Sequence, residues 1–408
     1  MALFIVSGGR ALDGEITVGG SKNAVLPIIF ATVAARGTSV IENVPDITDV
    51  DAALSIIEDL GAKIRRDGTT VFIDTENLRY KAPNPKLTSR LRASTYVLGA
   101  SLARFHRIDA CEFGGCNFEP RPIDLHLFAF SCLGASKTGK ELTLTKRKPQ
   151  DIKFSKPSVG ATANALILSA SRPYTVRIYG YAKEPHICAL ADFLVAAGAK
   201  IDFFDDYILV SGGELHGARV RIPEDPIECS TYLLASLMTG GRIRVKNPPI
   251  KELAPLLSLL LKGGVNIDTS DGTLALSGGL LSPISVSAAP YPEFPTDLQP
   301  LIAPVMGAFF GGEITDTVFP GRFGYLDDLR RFGLKYEYKD GKAKIFPSRL
   351  HSALASVPDL RGGAALVLAA LKAEGTSVIT SAQTVLRGYG GITEKLRTLG
   401  ADITEIKD

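Results

Sequence analysis

Apolar residues along this chain fall into two alternating kinds of segment. In the first kind the small and branched apolar residues cover every face, as in "NAVLPIIFATVAARGTSVIENV", "STYVLGASLARFHRIDACEF", "STYLLASLMTGGRIRVKNP", "DLQPLIAPVMGAFFGGEITDTVF" and "GAALVLAALKAEGTSVIT". A helix with no polar face belongs in the middle of a domain, and each of these runs into a short strand-like stretch. In the second kind a helix ends in Leu-Gly-Ala or a relic of it, and alternating residues follow. The copies are "LSIIEDLGAKIRRDGTTVFID", "LFAFSCLGASKTGKELTLT", "LADFLVAAGAKIDFFDDYILVSG", "LLSLLLKGGVNIDTSDGTLALSG", "LDDLRRFGLKYEYKDGKAKIF" and "ITEKLRTLGADITEI". Glycine after a last helical turn supplies the left-handed cap. Asp-Gly in "RRDGTT", "TSDGTL" and "YKDGKA" turns the chain back as a hairpin.

The glycines Gly61, Gly134, Gly198, Gly263, Gly333 and Gly400 recur at intervals of about 65–70 residues, the spacing of a repeated supersecondary unit. One unit reads helix, strand, helix, strand, strand, with a further strand leading to the next. Copy six stops at Asp408 without that last piece. The opening "GGRALDGEITVGGSKN" resembles the piece, which elsewhere reads "GGELHGARVRIPEDPIECS". The first twenty or so residues are therefore expected to complete copy six. The expected fold is α/β, with two domains of three repeats each. Residues 21–226 would form one, and residues 1–20 with 227–408 the other. Crossings near Gly20–Ser21 and Pro226 would make a hinge, with a ligand cleft between the lobes.

Composition narrows the class. The chain has 408 residues, 45% hydrophobic and 22% charged, as in an ordinary globular enzyme. A net charge of +3 gives no reason to expect a nucleic-acid or membrane-surface binder. The start "MALFIVSGGRALDG" does not read as a signal peptide, and the apolar segments are too short and interrupted to span a bilayer. Cys111, Cys116, Cys132, Cys188 and Cys229 include no CxxC pair, so a reducing cytoplasm is expected rather than a disulfide framework. Zinc bound by Cys111, Cys116 and His126 would match no standard spacing.

Polar residues recur at equivalent places in the repeats. Starting the first helices are Lys22 and Asn23, Arg92, Lys156 and Ser158, Glu228 and Ser230, Thr296 and Asp297, and Asp359 with Arg361. Opening the second helices are Asp46, Cys116 with Arg121 and Asp124, Lys183 and Glu184, Arg322, and Arg387. Similar repeats would bring these to one edge of each lobe, where unpaired N–H groups and positive helix ends attract phosphate and carboxylate. Taken singly each residue has an ordinary explanation. Asp297, Asp359 and Glu228 could be helix caps, Arg121 and Asp124 a local ion pair, and His126 a partly buried helix residue. Their recurrence is what points to an anionic ligand.

Longer matches are more specific. "GSKNAVLPI", "LRAS", "GGCNFEPRPIDLHL", "SVGAT", "FPTDLQ", "DLRGGAALVLA" and "RGY" occur in this order, and through them the chain resembles the UDP-N-acetylglucosamine enolpyruvyl transferases. The resemblance runs from Val6 almost to the C-terminus. It implies two inside-out α/β domains with buried helices and outer sheets. It also implies transfer of the enolpyruvyl group of phosphoenolpyruvate to the 3-hydroxyl of UDP-N-acetylglucosamine, with release of phosphate, at the start of peptidoglycan precursor synthesis. No metal or organic cofactor, no nucleic acid and no membrane partner are implied, and a monomer is expected. Cys116 would donate the proton to the enol carbon and be alkylated by the epoxide fosfomycin, its thiol acidified by Arg121. Asp297 would take the sugar hydroxyl proton. Lys22, Arg121 and Arg387 would hold the phosphate of phosphoenolpyruvate, with Arg322 and Arg361 near its carboxylate. Asn23, Arg92, Arg121, Pro122, Ile123, Asp124, Leu125, Lys156, Pro157, Ser158, Val159, Asp297 and Val318 would line the substrates, chiefly the nucleotide sugar.

The chain departs from that family's pattern at Phe113, Pro226, Pro320-Gly321 and Leu386, which flank the chemistry without deleting a principal group. Two other readings stand beside the first: an enolpyruvyl transferase with a different acceptor, and a weakly catalytic protein that binds UDP-N-acetylglucosamine.

Overall fold

The computed structural model describes residues 2–109, 113–114 and 122–407. These belong to two compact units, Gly20–Pro223 and Met1–Gly19 with Glu224–Asp408. The first unit opens with α1 (Lys22–Ala31), a strand Thr38–Glu42, α2 (Thr48–Asp59) and the hairpin Lys63–Asp67/Thr70–Asp74. After the single turn α3 (Pro85–Thr88) come α4 (Tyr96–Phe105), strand Arg107–Asp109, α5 (Asp124–Cys132) and the hairpin Ala135–Thr138/Glu141–Leu144. The third copy is α6 (Val159–Ala170), Thr175–Tyr179, α7 (Pro185–Ala196) and Lys200–Phe203/Tyr207–Ser211. The second unit repeats the order. It has α8 (Pro226–Thr239), α9 (Ile250–Lys262), α10 (Gln299–Ala308), α11 (Tyr325–Arg331), α12 (Leu360–Lys372) and α13 (Ile392–Thr398), each followed by its strands.

The helices that are apolar all round lie at the centre of each unit. α1 buries every residue from Ala24 to Ala31, α6 from Ala161 to Ala170 and α12 from Leu360 to Leu371. Each Leu, Val or Ile buried in this way contributes ~1.5–3 kcal/mol. Contacts of α1 with α4, α4 with α6, and α8 with α10 and α12 form the two cores, and the sheets lie outside them. The inside-out α/β architecture implied by the family resemblance is what is found.

The first unit closes on itself through one strand borrowed from elsewhere in the chain, the second through two. Arg219–Arg221 runs parallel to Thr38–Glu42, so the end of copy three completes the sheet of copy one. Asp13–Thr17 runs parallel to Arg242–Lys246. Ala2–Gly8 lies between Gly375–Thr380 and Asp402–Lys407, antiparallel to both, with Phe4 opposite Ile379 and Glu405. Copy six thus takes its final strand from the first residues of the chain.

One sheet departs from the expected pattern. Among the described residues five sheets have four strands, but Arg107–Asp109 belongs to a sheet of three. The segment ahead of α4 supplies no leading strand, because Pro83 and Pro85 lack the backbone donors that a ladder needs. Pro85 instead opens α3, capped by Asn84 through the Lys86 N–H. The Tyr80 hydroxyl substitutes for the missing strand. It accepts from the Asp109 N–H at 3.1 Å and donates to the Asp109 carboxylate at 2.7 Å. Among the described residues no helix is long and apolar enough to cross a membrane.

Because Phe4 is fully buried in the central strand of its sheet, Phe4→Ala is expected to cost ~3–5 kcal/mol. Denaturant unfolding checks this, and an unchanged midpoint would remove the first strand from the core.

Candidate functional site

In the second unit the starts of the three central helices converge. The chain enters α10 through a turn at Thr296–Leu298, and the Asp297 carboxylate there spans two buried guanidinium groups. Its Oδ1 accepts from Arg322 Nη1 at 2.9 Å, and its Oδ2 accepts from Arg361 Nη2 at 3.1 Å and Nε at 3.3 Å. Arg361 belongs to the first turn of α12 and is 2% exposed, whereas Asp297 retains 26% exposure. Arg322 also donates to the Thr296 carbonyl at 3.2 Å. Burial pulls both arginine pKa values down and is the largest single effect, but the Asp297 charge together with further neighbours, Asp359 for Arg322 and Tyr389 and Asp225 for Arg361, leaves both above the ordinary value. These are charge-assisted contacts.

The remaining helix starts frame this cluster. Asp359 caps α12, accepting from the Arg361 and Gly362 N–H groups at 3.0 and 3.1 Å. Asp225 caps α8 through the N–H groups of Ile227 and Glu228, and its charge also helps to raise the Arg361 pKa. The Arg361 guanidinium stands 5.4 Å from the Tyr389 ring centre, and the Tyr389 hydroxyl meets the Thr231 hydroxyl at 2.9 Å. Glu228 accepts from the Gly19 N–H at 2.7 Å and from Lys395. Burial raises its pKa, and Lys395 only partly opposes this. Arg387 ends the 3-10 turn Ala382–Arg387 and is half-buried; Val318 follows the strand Gly312–Asp316, its N–H held by Asp316 at 2.9 Å.

In the first unit Lys22 is the first residue of α1, and its Nζ meets Asp49 of α2 at 2.7 Å. Asn23 follows on the same turn. Arg92 opens the 3-10 turn Arg92–Thr95 that runs into α4. Pro122 and Asp124 are exposed, Ile123 and Leu125 half-buried, and they lead into α5. Lys156 and Pro157 are exposed, while Ser158 caps α6 through the Ala161 N–H at 3.4 Å and Val159 begins it. Cys116, Arg121 and Cys111 lie outside the described residues. Gly114 donates to the Thr88 carbonyl at 3.1 Å, and a Cβ on it would fall 1.7 Å from the Ser89 oxygen.

The sequence pattern of the EPSP synthase (3-phosphoshikimate 1-carboxyvinyltransferase) family matches residues 6–396. The chain belongs to this enolpyruvyl transferase family. Among relatives, UDP-N-acetylglucosamine 1-carboxyvinyltransferase 2 of Staphylococcus aureus (strain Mu50 / ATCC 700699) is 36% identical, over 98% of this chain and 97% of that protein. UDP-N-acetylglucosamine 1-carboxyvinyltransferase of Halothermothrix orenii is 38% identical, over 100% of both. Of solved structures, the enolpyruvyl transferase NikO from Streptomyces tendae has a TM-score of 0.89 at 25% identity, covering 100% of this chain and 99% of that one. EPSP synthase from Acinetobacter baumannii has a TM-score of 0.75 at 17% identity over both whole chains, a likeness of fold.

Against the pattern of this enolpyruvyl transferase family, two sequence expectations change. Asp297 precedes α10 rather than sitting in it, so its charge is held by two guanidinium groups and not by a helix end. Nor do the helix starts all offer unpaired N–H groups: Ser158, Asp225 and Asp359 fill three of them with their own oxygens. Asp359 therefore has the ordinary capping role. Asp49, Asp316 and Tyr389 escaped the sequence reading. Asp46 stood out at the second-helix position, but it pairs with Arg66 on the surface, and Asp49, three residues on, faces Lys22. A one-turn offset along the helix is the signal that could have found it.

The departures from the family pattern have local explanations. Pro226 occupies the first position of α8, where no backbone donor is needed. Phe113 and Leu386 pack against the cores of their units. Pro320 accepts from the Tyr338 hydroxyl at 3.2 Å, and the turn closes through Arg322 N–H to Phe319 O at 3.0 Å.

Gly114→Ala should displace the loop entry and lower turnover by about tenfold or more, with KM-independent loss read from initial rates; full activity would show that the entry tolerates movement. Glu228 has a folded pKa above its unfolded value, so its contribution to stability is complete below pH 4.5 and is lost as the pH rises through the elevated pKa. The unfolding midpoint of the wild type should thus fall relative to Glu228→Gln across that window. Parallel pH curves for the two proteins would refute the assignment.

Proposed function

We propose that this chain transfers the enolpyruvyl group of phosphoenolpyruvate to the 3-hydroxyl of UDP-N-acetylglucosamine and releases phosphate, a step of cell-wall precursor synthesis in the cytoplasm. The observation that carries the reading is the Asp297 carboxylate between Arg322 and Arg361. Such an arrangement supplies an ionised base beside two planar cations suited to a second carboxylate. The names of the two relatives above support the choice of acceptor.

The chemistry divides among side chains as follows. Lys22, Arg121 and Arg387 hold the phosphate of phosphoenolpyruvate, and Arg322 with Arg361 receives its carboxylate. Cys116 protonates the methylene carbon while the sugar oxygen bonds to the central carbon and Asp297 takes the hydroxyl proton. The resulting tetrahedral ketal loses phosphate and one proton of the new methyl group, which restores the double bond. Fixed cations stabilise the charge that builds on the phosphate as it leaves. Arrival of the substrate carboxylate draws the two guanidinium groups away from Asp297, which makes Asp297 a stronger base at the moment it is needed. Asn23, Arg92, Pro122 to Leu125, Lys156 to Val159 and Val318 bind the nucleotide sugar.

Phosphate release from the two substrates tests this directly. The wild type is expected to turn over, Cys116→Ala to lose turnover, and Asp297→Asn to fall by ~10²–10⁴ while remaining folded. Fosfomycin should add one equivalent of mass at Cys116 and abolish activity. Phosphate release only with some other acceptor, or binding of UDP-N-acetylglucosamine without turnover, would overturn the reading.

A further inference from the structure

Deep in the first unit, one amide side chain is built into a neighbouring helix. Asn164 lies on α6, fully buried, against α4. Its Oδ1 accepts from the Gly99 N–H at 2.9 Å, and its Nδ2 donates to the Thr95 carbonyl at 3.2 Å. Gly99 N–H and Thr95 C=O are the donor and acceptor of one ordinary helical bond, four residues apart. The amide of Asn164 bridges them as a peptide group would. It does so where the backbone changes from the 3-10 turn Arg92–Thr95 to the α-helix Tyr96–Phe105.

The same Nδ2 reaches two more acceptors, the Gly160 carbonyl at 3.2 Å and Nδ1 of His126 at 2.9 Å. Because Oδ1 is committed to an N–H group, the amide cannot be turned over, and Nδ1 of His126 must accept. That places the imidazole proton on Nε2. His126 is in the first turn of α5 and 5% exposed. Two glycines make the junction possible. A Cβ at Gly99 would lie 2.6 Å from Asn164 Oδ1, and one at Gly160 would lie 2.8 Å from His126 Cε1.

We propose that Asn164 and His126 are positioning residues for the nucleotide sugar. Three segments meet at this amide: the turn that carries Arg92, the start of α5 with Asp124 and Leu125, and the start of α6 with Ser158. Each belongs to the set assigned above to UDP-N-acetylglucosamine, and of the set assigned to phosphoenolpyruvate only Arg121 is near in sequence, three residues before α5, so the inference rests on that assignment. A buried amide with fixed donor and acceptor ends sets the spacing and rotation of the three starts together. The Arg92 side chain is then aimed by α6, not by its own turn.

The test uses full-length protein and steady-state phosphate release, with each substrate varied in turn. His126→Phe and Asn164→Ala are expected to raise KM for UDP-N-acetylglucosamine by about tenfold or more, the scale of a lost buried hydrogen bond. KM for phosphoenolpyruvate should stay within about twofold, since Lys22, Arg322, Arg361 and Arg387, four of the five ligands assigned to it, lie on other elements. His126→Gln, whose side-chain oxygen can accept from Asn164, should recover most of the loss. Asn164→Asp keeps the size and the acceptor for Gly99 but loses the donor, so the same split is expected without a cavity. Equal rises in both KM values, unaltered KM in the Asp variant, or no recovery in the Gln variant would overturn the proposal. A wild type that releases no phosphate would instead defeat the proposed function itself.

Discussion

Six helices with no polar face must each find a place where every side is covered, and a group of three around a common axis is how each unit solves this. The solution imposes an electrostatic cost. The helices of a group run the same way, so their positive ends meet: Asp225 at α8, the Asp297 turn at α10 and Arg361 at α12 are mutual neighbours. Like dipole ends in one place are unfavourable unless negative charge is supplied. The caps Asp225 and Asp359, with Glu228 in the first turn of α8, supply it.

That compensation shapes what the site can do. Arg322 and Arg361 are buried, and a buried cation requires a partner held in good geometry. Lys22 faces the same requirement and meets it with Asp49. Three of the cations proposed to meet the ligand, Lys22, Arg322 and Arg361, are paired in the structure, which fits a chain of nearly balanced charge, 46 basic and 43 acidic residues. Binding an anion becomes an exchange of partners rather than a neutralisation. An exchange releases a carboxylate, and for Asp297 the released group is the base of the proposed reaction.

Rigid polar joints supply the precision that loops lack. The Tyr80 hydroxyl completes an interrupted sheet edge, Gly114 is held against the Thr88 and Ser89 backbone, and Asn164 stands in for a peptide group within α4. Each satisfies backbone groups that would otherwise be buried without partners, which costs more than an average hydrogen bond gains. These joints cluster in the first unit, around the segments assigned to the nucleotide sugar.

Periodicity and repetition were legible because they are local: all-apolar runs, Leu-Gly-Ala ends and Asp-Gly turns each act over a few residues. Six copies and buried central helices could be read from one line of residues, and the resemblance singled out Asp297, Arg322 and Arg361, which the structure brings together. The absent strand before α4 was missed because two prolines act against a pattern that otherwise predicts a strand there. Which acid serves which base was not legible at all. Asp49 rather than Asp46 meets Lys22, Asp297 spans two arginines drawn from α12 and the loop before α11, and Asn164 reaches a helix more than sixty positions away. Sequence fixes what each segment must bury, since burial follows from composition. Only the packed structure decides which polar groups share the space left over, because that depends on distances between residues far apart in the chain.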